Sequence, residues 1–205
     1  MSSQQLVEQL ITKGILKSPR IIKSFKNIDR ADFVPTNLKG QAYINAPLPL
    51  GHSQTISQPL TVAFMLELLQ PAPGEKILDI GSGSGWQTAL LAHIVGPQGK
   101  IYGLELVLEL HRQSITNISK YNFIKKGIVQ MQCQSAADGL PAQGPFDKII
   151  AAAALKEVSS AWLDQLKTNG RLVAPVGHSL VLIIKEKDGF TKEEFPGFVF
   201  VPFIP

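Results

Sequence analysis

Two short segments at the start of the chain carry apolar residues at the spacing of an amphipathic helix. The apolar positions of the first segment are Leu6, Val7, Leu10 and Ile11. Gly14 ends this helix, and Ser18 followed by Pro19 is typical of the start of another. From Phe33 to Pro59 the regular pattern stops, because prolines and glycines interrupt it. Irregular segments of this length in a compact domain are usually binding loops or lids, so we expect one here.

After Pro59 the chain alternates between helix-like and strand-like segments. An apolar helix from Val62 to Leu69 comes first. The predicted strands are 76–80, 100–104, 128–132, 148–151 and 171–174, and the predicted helices are 87–95, 106–121 and 159–167. This alternation predicts an α/β fold with a doubly wound, mostly parallel sheet. Two further strand-like segments, 180–185 and 198–203, have no helix between them, which predicts antiparallel strands at one edge.

Composition restricts the class of protein. The 205 residues suggest one domain, and a hydrophobic content of 44% is enough for a sizeable core. A net charge of +4 is too small to indicate a surface for nucleic acid or membrane. The single cysteine, Cys133, excludes an internal disulfide framework. The chain has neither a secretory signal pattern nor an apolar run of about 18 residues, so we expect a cytoplasmic protein.

The strand at 76–80 leads into a glycine-rich turn, Gly81-Ser82-Gly83-Ser84-Gly85, where sheets of this class bind nucleotides. A dinucleotide fingerprint requires glycine at position 86, which is Trp86 here. Glu105 ends the next strand, in the register of an acid that binds two ribose hydroxyls. These features predict an adenosine ligand without a pyrophosphate, with S-adenosylmethionine as the leading candidate. Asp79, inside the apolar strand, needs polar partners, and loop N–H groups or a ligand amino group would suit it.

A longer stretch ahead of this turn is more specific. Residues 42–59 read AYINAPLPLGHSQTISQP, and further motifs are Asp29-Arg30, Pro145-Phe146-Asp147 and Phe200-Val201-Pro202. In these motifs the chain resembles the protein-L-isoaspartate (D-aspartate) O-methyltransferase family over nearly its whole length. The resemblance implies a Rossmann-like S-adenosylmethionine-dependent methyltransferase fold in a single domain, 1–205. Within it, residues 1–58 would form an N-terminal helical cap with a substrate and cofactor loop, and 59–205 the core.

The resemblance also implies the reaction and the residues that serve it. A methyl group passes from S-adenosyl-L-methionine to the free carboxylate of L-isoaspartyl residues in damaged proteins and peptides, leaving S-adenosyl-L-homocysteine. Ser57 matches the active-site serine, which would orient the carboxylate, although a serine at this position could also cap the helix after Pro59. The residues implied to contact the cofactor are Thr55, Ile56, Asp79, Gly81, Ser82, Gly83, Gly85, Glu105 and Ser135.

Three positions depart from the family pattern. The family has a Gly-Asp-Gly run whose acid contacts the adenine amino group, whereas this chain has Gln134-Ser135-Ala136. Ser135 remains as an acceptor, at a loss of about 1–2 kcal/mol in cofactor affinity, and Asp138 could compensate if the loop is re-routed. The segment Ala153-Ala154-Leu155-Lys156 replaces an Ala-Ala-Pro turn, and Asn45 stands where an acidic residue is frequent.

These departures leave two alternatives open. One is a methyltransferase for a different carboxylate or small-molecule acceptor, and the other is a non-catalytic binding or scaffold protein. A metal site is not indicated, because the four histidines lie far apart without paired acids: His52, His93, His111 and His178. We expect a monomer whose partners are isoaspartyl peptides and proteins, with no nucleic-acid or membrane partner.

Overall fold

The computed structural model describes residues 1–205, and the first third of the chain forms three helices and a small β-hairpin. These elements are α1 (Ser3–Thr12), α2 (Pro19–Asn27), β1 (Leu48–Gly51), β2 (Gln54–Ile56) and α3 (Pro59–Leu69). Two 3-10 turns, Arg30–Asp32 and Thr36–Gln41, lie between α2 and β1. The hairpin is absent from the sequence prediction, which treated 33–59 as irregular throughout. Its strands are only four and three residues long and one contains Pro49, so no alternating pattern marks them.

The rest of the chain alternates as predicted and supplies a seven-stranded sheet. Its strands are β3 (Lys76–Ile80), β4 (Lys100–Glu105), β5 (Val129–Cys133), β6 (Phe146–Ala151), β7 (Leu166–Val176), β8 (Ser179–Glu186) and β9 (Gly189–Pro196). The helices between them are α4 (Trp86–Val95), α5 (Leu108–Ser119) and α6 (Ser160–Asp164). The strand order is β5-β4-β3-β6-β7-β8-β9; the pairs β7–β8 and β8–β9 are antiparallel, and all other neighbours are parallel. The predicted fold class, a mostly parallel sheet with antiparallel C-terminal strands and N-terminal helices, is confirmed.

This strand order places a switch point beside β3. The chain proceeds from β3 to β4 and β5 on one side, and then returns to place β6 on the other side of β3. The loops that leave neighbouring strands therefore diverge at their carboxyl ends, where open α/β sheets bind ligands.

Neighbouring residues of each strand face opposite sides of the sheet and belong to two hydrophobic cores. Ile77 and Ile150 face the larger core, which includes α2, α3 and α4, whereas Leu78 and Ile149 face the smaller one around Trp162. The leader is part of the larger core, since Leu6, Val7, Leu10, Ile21 and Phe25 belong to it. The Phe25 ring meets Trp86 edge to face at 5.5 Å, which fixes the leader against the start of α4.

Three predictions of element positions near the end of the chain are wrong. The last sheet strand is Gly189–Pro196, not 198–203, which makes only an isolated bridge between Ala154 and Pro202. The β9 sequence is polar because this strand lies at an exposed edge, so no apolar alternation marks it. The predicted helix 159–167 stops at Asp164, and β7 begins at Leu166 rather than at Arg171. None of the helices has the length and apolar character needed to cross a bilayer.

Candidate active site

A cleft of about 880 Å³, including its open mouth, lies at the carboxyl ends of β3, β4, β5 and β6. Segments from the leader and from the C-terminal tail cover it. The main lining segments are 80–84, 104–107, 134 and 136, 152–153, 54–57 and 201–204. Most of the residues that the resemblance assigns to the cofactor lie in this wall: Thr55, Ile56, Gly81, Ser82, Gly83 and Glu105. Asp79, Gly85 and Ser135 do not line it.

The glycine turn brings backbone close to the cleft. Gly81 and Gly83 both line the cleft and have positive φ values of 71° and 53°, which glycine adopts without strain. Gly85 is positioned differently. It begins α4 at a φ of 86°, and a Cβ atom there would lie 2.8 Å from Cδ1 of Ile118, so this glycine allows α5 to pack against the turn.

Glu105 is fixed by two backbone groups at the edge of the cleft. Its Oε2 accepts a hydrogen bond of 2.8 Å from the Gly83 N–H, and its Oε1 accepts one of 2.9 Å from the Val107 N–H. A carboxylate oxygen has two acceptor sites, so each oxygen can take one more donor. The cleft wall also contains the apolar side chains of Leu106, Leu110 and Ala136. Two outward acceptor sites next to an apolar surface suit a ribose diol and a purine ring.

Asp79 lies directly behind the cleft and is fully buried. Gln87 donates through Nε2 to Oδ1 at 2.8 Å, and the Thr88 hydroxyl donates to Oδ2. These partners come from the first turn of α4, not from the loop N–H groups that were candidates in the sequence. Burial raises the pKa of Asp79 to about 6, the two hydrogen bonds oppose this rise, and the charge of Glu105 adds to it.

A second cleft of about 690 Å³ adjoins the first at Ser57. Its wall is formed by Pro47, Thr55, Ser57, Gln58, Thr61, Ala152 and Val199–Val201, and contains no charged side chain. Both clefts share Thr55, Ser57, Ala152 and Val201. Ser57 is half-buried, and its hydroxyl makes no hydrogen bond within the chain, so it does not cap α3. The hydroxyl is therefore available to a ligand.

Asn45 performs the capping that Ser57 does not. Its Oδ1 accepts a 2.9 Å hydrogen bond from the Leu60 N–H in the first turn of α3, and its carbonyl accepts one from the Gln58 side chain. The departure from the family pattern at this position thus has a structural role next to the second cleft.

The segment after β5 brings a different residue to the cleft than the sequence suggested. The Ser135 hydroxyl accepts a 3.1 Å hydrogen bond from the Ala137 N–H, and neither Ser135 nor the exposed Asp138 lines the cleft. Gln134 and Ala136 line the cleft instead. Gln134 was missed because sequence reasoning followed the position of the family's acid, although an amide directly after a strand is itself a signal for recognition of a base edge.

The remaining departure, 153–156, anchors the C-terminal tail. The Ala154 N–H donates to the Val201 carbonyl at 2.8 Å, and the Phe203 N–H donates to the Ala154 carbonyl at 2.9 Å. Lys156 is exposed and lines neither cleft. These hydrogen bonds hold the tail across both clefts, and Lys156 adds no charge to either wall.

Comparison with known proteins gives consistent matches over most of the chain. The model of the protein-L-isoaspartate(D-aspartate) O-methyltransferase (PCMT) family matches residues 1–204. Protein-L-isoaspartate O-methyltransferase from Aeropyrum pernix is 40% identical over 193 residues, which are 92% of this chain and 74% of that protein. The protein of the same name from Methanopyrus kandleri is 36% identical over 206 residues, with 98% and 90% covered.

A solved structure gives the same result. The crystal structure of a Plasmodium falciparum protein assigned as a protein-L-isoaspartate O-methyltransferase, in complex with S-adenosyl-L-homocysteine, aligns with a TM-score of 0.90. The two sequences are 26% identical, and the alignment covers 100% of this chain and 99% of that chain.

Proposed function

The chain belongs to the protein-L-isoaspartate(D-aspartate) O-methyltransferase family, and on that basis we propose how its two clefts carry out the reaction. It is an S-adenosylmethionine-dependent enzyme that methylates the free carboxylate of L-isoaspartyl residues in damaged proteins and peptides. The observation that supports this assignment best within the chain is the position of Ser57, in the wall that the two clefts share. The first cleft suits an adenosine ligand, and the second is lined by uncharged side chains along which a carboxylate can approach.

The first cleft fits S-adenosyl-L-methionine. Glu105 is fixed with two outward acceptor sites for the ribose hydroxyls, and the backbone of Gly81 and Gly83 forms an open wall beside them. When bound, S-adenosyl-L-methionine supplies a methyl group on a positively charged sulfur, and the products are S-adenosyl-L-homocysteine and a methyl ester. Thr55 and Ile56 belong to the leader segment that covers this cleft.

Gln134 is the residue that we assign to the adenine edge in place of Ser135. Its side-chain amide offers one donor and one acceptor group, and it makes no hydrogen bond elsewhere in the chain. An amide can therefore pair with an adenine edge that presents both a donor and an acceptor. This arrangement supplies neutral hydrogen bonds where the family pattern has a charged one.

The second cleft supports a mechanism without a general base. A carboxylate is ionised at neutral pH, so no proton has to be removed before transfer. The hydroxyls of Ser57, Thr55 and Thr61 can donate to its oxygens, and those of Ser57 and Thr55 also line the first cleft and make no hydrogen bond within the chain. Of these two, Ser57 is the more buried, and it is the residue that matches the active-site serine of the family. We assign to Ser57 the orientation of the attacking oxygen, with alignment and exclusion of water supplying the acceleration.

The assignment is tested with the purified wild type and two serine variants. Calorimetric titration with S-adenosyl-L-homocysteine precedes a methyl-transfer assay on an isoaspartyl peptide and its aspartyl counterpart. We expect binding, with transfer to the isoaspartyl peptide alone. Ser57→Ala is expected to lower kcat by about 10²-fold while S-adenosyl-L-homocysteine affinity stays within about twofold. Ser119→Ala, an exposed serine on α5 outside both clefts, is the matched control and should leave both quantities unchanged.

Two results would contradict the assignment. Binding with no transfer to the isoaspartyl peptide would indicate another acceptor, and an active Ser57→Ala variant would remove the role of Ser57.

We also propose that the protein works in the cytoplasm as a monomer, and that residues 1–58 and 59–205 act as a single methyltransferase domain. The shared hydrophobic core of α1, α2, α3 and α4 supports the single domain. Analytical ultracentrifugation of the purified chain tests the monomer directly.

A further inference from the structure

Arg30 is an arginine buried without an acidic partner. It lies in the 3-10 turn after α2, its residue surface is 2% exposed, and it takes part in none of the ion pairs of the chain. Burial lowers its pKa to about 10, so the group remains charged at neutral pH despite the unfavourable surroundings. A buried charge of this kind seldom gives a core its highest stability, because replacing such a group by well-packed apolar residues is often neutral or stabilising.

The guanidinium group instead gathers carbonyl oxygens from both ends of the active-site loop, residues 42–57. Nη1 donates to Ala42 at 2.7 Å and Nη2 donates to Ala46 at 3.1 Å. Nη2 also donates to the carbonyl of Ser57 at 3.0 Å. Longer contacts of 3.4 and 3.5 Å reach the carbonyls of Ile44 and Ile56. The loop thus begins and ends on the same side chain.

The same guanidinium group also contacts the first cleft from behind. Its central carbon lies 5.3 Å from the centroid of the Trp86 ring, which lines that cleft and begins α4. Arg30 therefore connects the loop that carries Ser57 to the helix that follows the glycine turn. A planar group with five N–H donors can span these carbonyls at once, whereas an ammonium group with three donors cannot.

We propose that Arg30 is a positioning residue that acts through Ser57: by holding the two ends of the loop 42–57 against Trp86, it fixes the Ser57 hydroxyl in the wall between the clefts. The proposal rests on the proposed function for its kinetic part. Misplacement of an orienting group by about 1 Å can reduce turnover by about 10²-fold, so a loosened loop should lower kcat more than it lowers cofactor affinity.

The experiment compares Arg30→Lys and Arg30→Met with Arg20→Met. Arg20 is an exposed arginine of α2 whose side chain reaches Gln70 and neither cleft, so its variant controls for the loss of a leader arginine. Kinetics are measured at a temperature at which circular dichroism shows each variant folded. We expect Arg30→Lys to lower kcat by about 10–100-fold while S-adenosyl-L-homocysteine affinity changes by less than about threefold.

A double-mutant cycle separates positioning from a merely structural role. In the Ser57→Ala background, Arg30→Lys should cost less than about a further threefold in kcat, because the hydroxyl that it positions is gone. An equal loss in both backgrounds would overturn the proposal, and so would an Arg30→Lys enzyme with wild-type kcat. Arg30→Lys retains the charge, so the cycle does not depend on the stability of the Met variant.

A measurement without turnover distinguishes failure of this proposal from failure of the proposed function. Chymotrypsin should cut after Tyr43 or Leu50 faster in Arg30→Lys than in wild type or Arg20→Met, because the loop ends are released. Unchanged cleavage rates would contradict the hold on the loop. If the wild type methylates no isoaspartyl peptide, the proposed function fails while the proteolysis still decides whether Arg30 fixes the loop.

Discussion

Replacing Asp79 by Asn should make the protein more stable at neutral pH. The carboxyl group is fully buried, and its partners Gln87 and Thr88 are neutral. Burial raises its pKa from 3.8 to about 6, which means that the ionised form is disfavoured in the folded protein. Since a tenfold change in proton affinity corresponds to about 1.4 kcal/mol, keeping this group ionised costs the folded state about 3 kcal/mol above pH 6. Asn has no such cost.

The sign of the pH dependence follows from the two protonation states. Between about pH 4 and pH 6 the folded protein holds the Asp79 proton while the unfolded chain has released it, so protons favour the folded state. The contribution of this group to stability therefore improves as the pH falls and is lost as the pH rises through about 6. Integrated from about pH 4.5 to about pH 7.5, the loss is about 2 kcal/mol in wild type and absent in Asp79→Asn.

The assay is urea unfolding of the ligand-free protein at these two pH values. Asp79→Asn can keep both hydrogen bonds if the Gln87 amide turns, so we expect it to exceed wild type by about 3 kcal/mol at the higher pH and by about 1 kcal/mol at the lower pH. Asp188→Asn, at an exposed turn, is the control and should shift stability by less than about 0.5 kcal/mol at either pH. If Asp79→Asn is less stable than wild type by the same amount at both pH values, the reasoning from burial is refuted.

Two further predictions concern the glycine turn and the adenine edge. Gly85→Ala should destabilise the protein by about 2–4 kcal/mol in urea unfolding, because it combines a left-handed φ with a clash against Ile118, whereas Gly177→Ala, with a positive φ in open space, should cost about 1 kcal/mol. Gln134→Leu should weaken S-adenosyl-L-homocysteine binding by about 5–10-fold in calorimetry, while Ser135→Ala leaves it within about twofold. An equal effect of the two substitutions would remove Gln134 from the adenine edge.

The features that sequence predicted well are those encoded locally. The helix and strand periods after Pro59 are enough to predict the alternation of helices and strands. The spacing from Gly81 to Glu105 is enough to predict that an acid lies beside the glycine turn. The partners of Asp79 were not predicted, although Gln87 and Thr88 follow it by only eight and nine residues. Gln87 and Thr88 occupy the first turn of the helix that follows the strand and the glycine turn, so their side chains lie beside the end of the strand.

The features that sequence missed depend on contacts between distant segments. The hairpin at 48–56 is held by pairing with itself and by carbonyl contacts to Arg30, neither of which leaves an apolar pattern. The first residues of β7, 166–170, have the composition of a turn, yet Leu166 pairs with Phe146, the first residue of β6. The role of Arg30 needs the positions of residues 42–57 and of Trp86, which only the folded chain brings to one point.

Two buried charges without counter-ions contact the first turn of α4, and their placement explains why the site tolerates them. Asp79 accepts hydrogen bonds from Gln87 and Thr88, and Arg30 contacts Trp86. The contacts of the two charges therefore fall on three consecutive residues at the start of the helix. Each charge lowers the stability of the fold, since an apolar or neutral side chain would avoid its desolvation. The hydrogen bonds of Arg30 fix the loop around Ser57, and those of Asp79 fix the start of α4 beside the glycine turn. Stability given up at these positions is consistent with a site that needs its backbone held in one geometry before either ligand arrives.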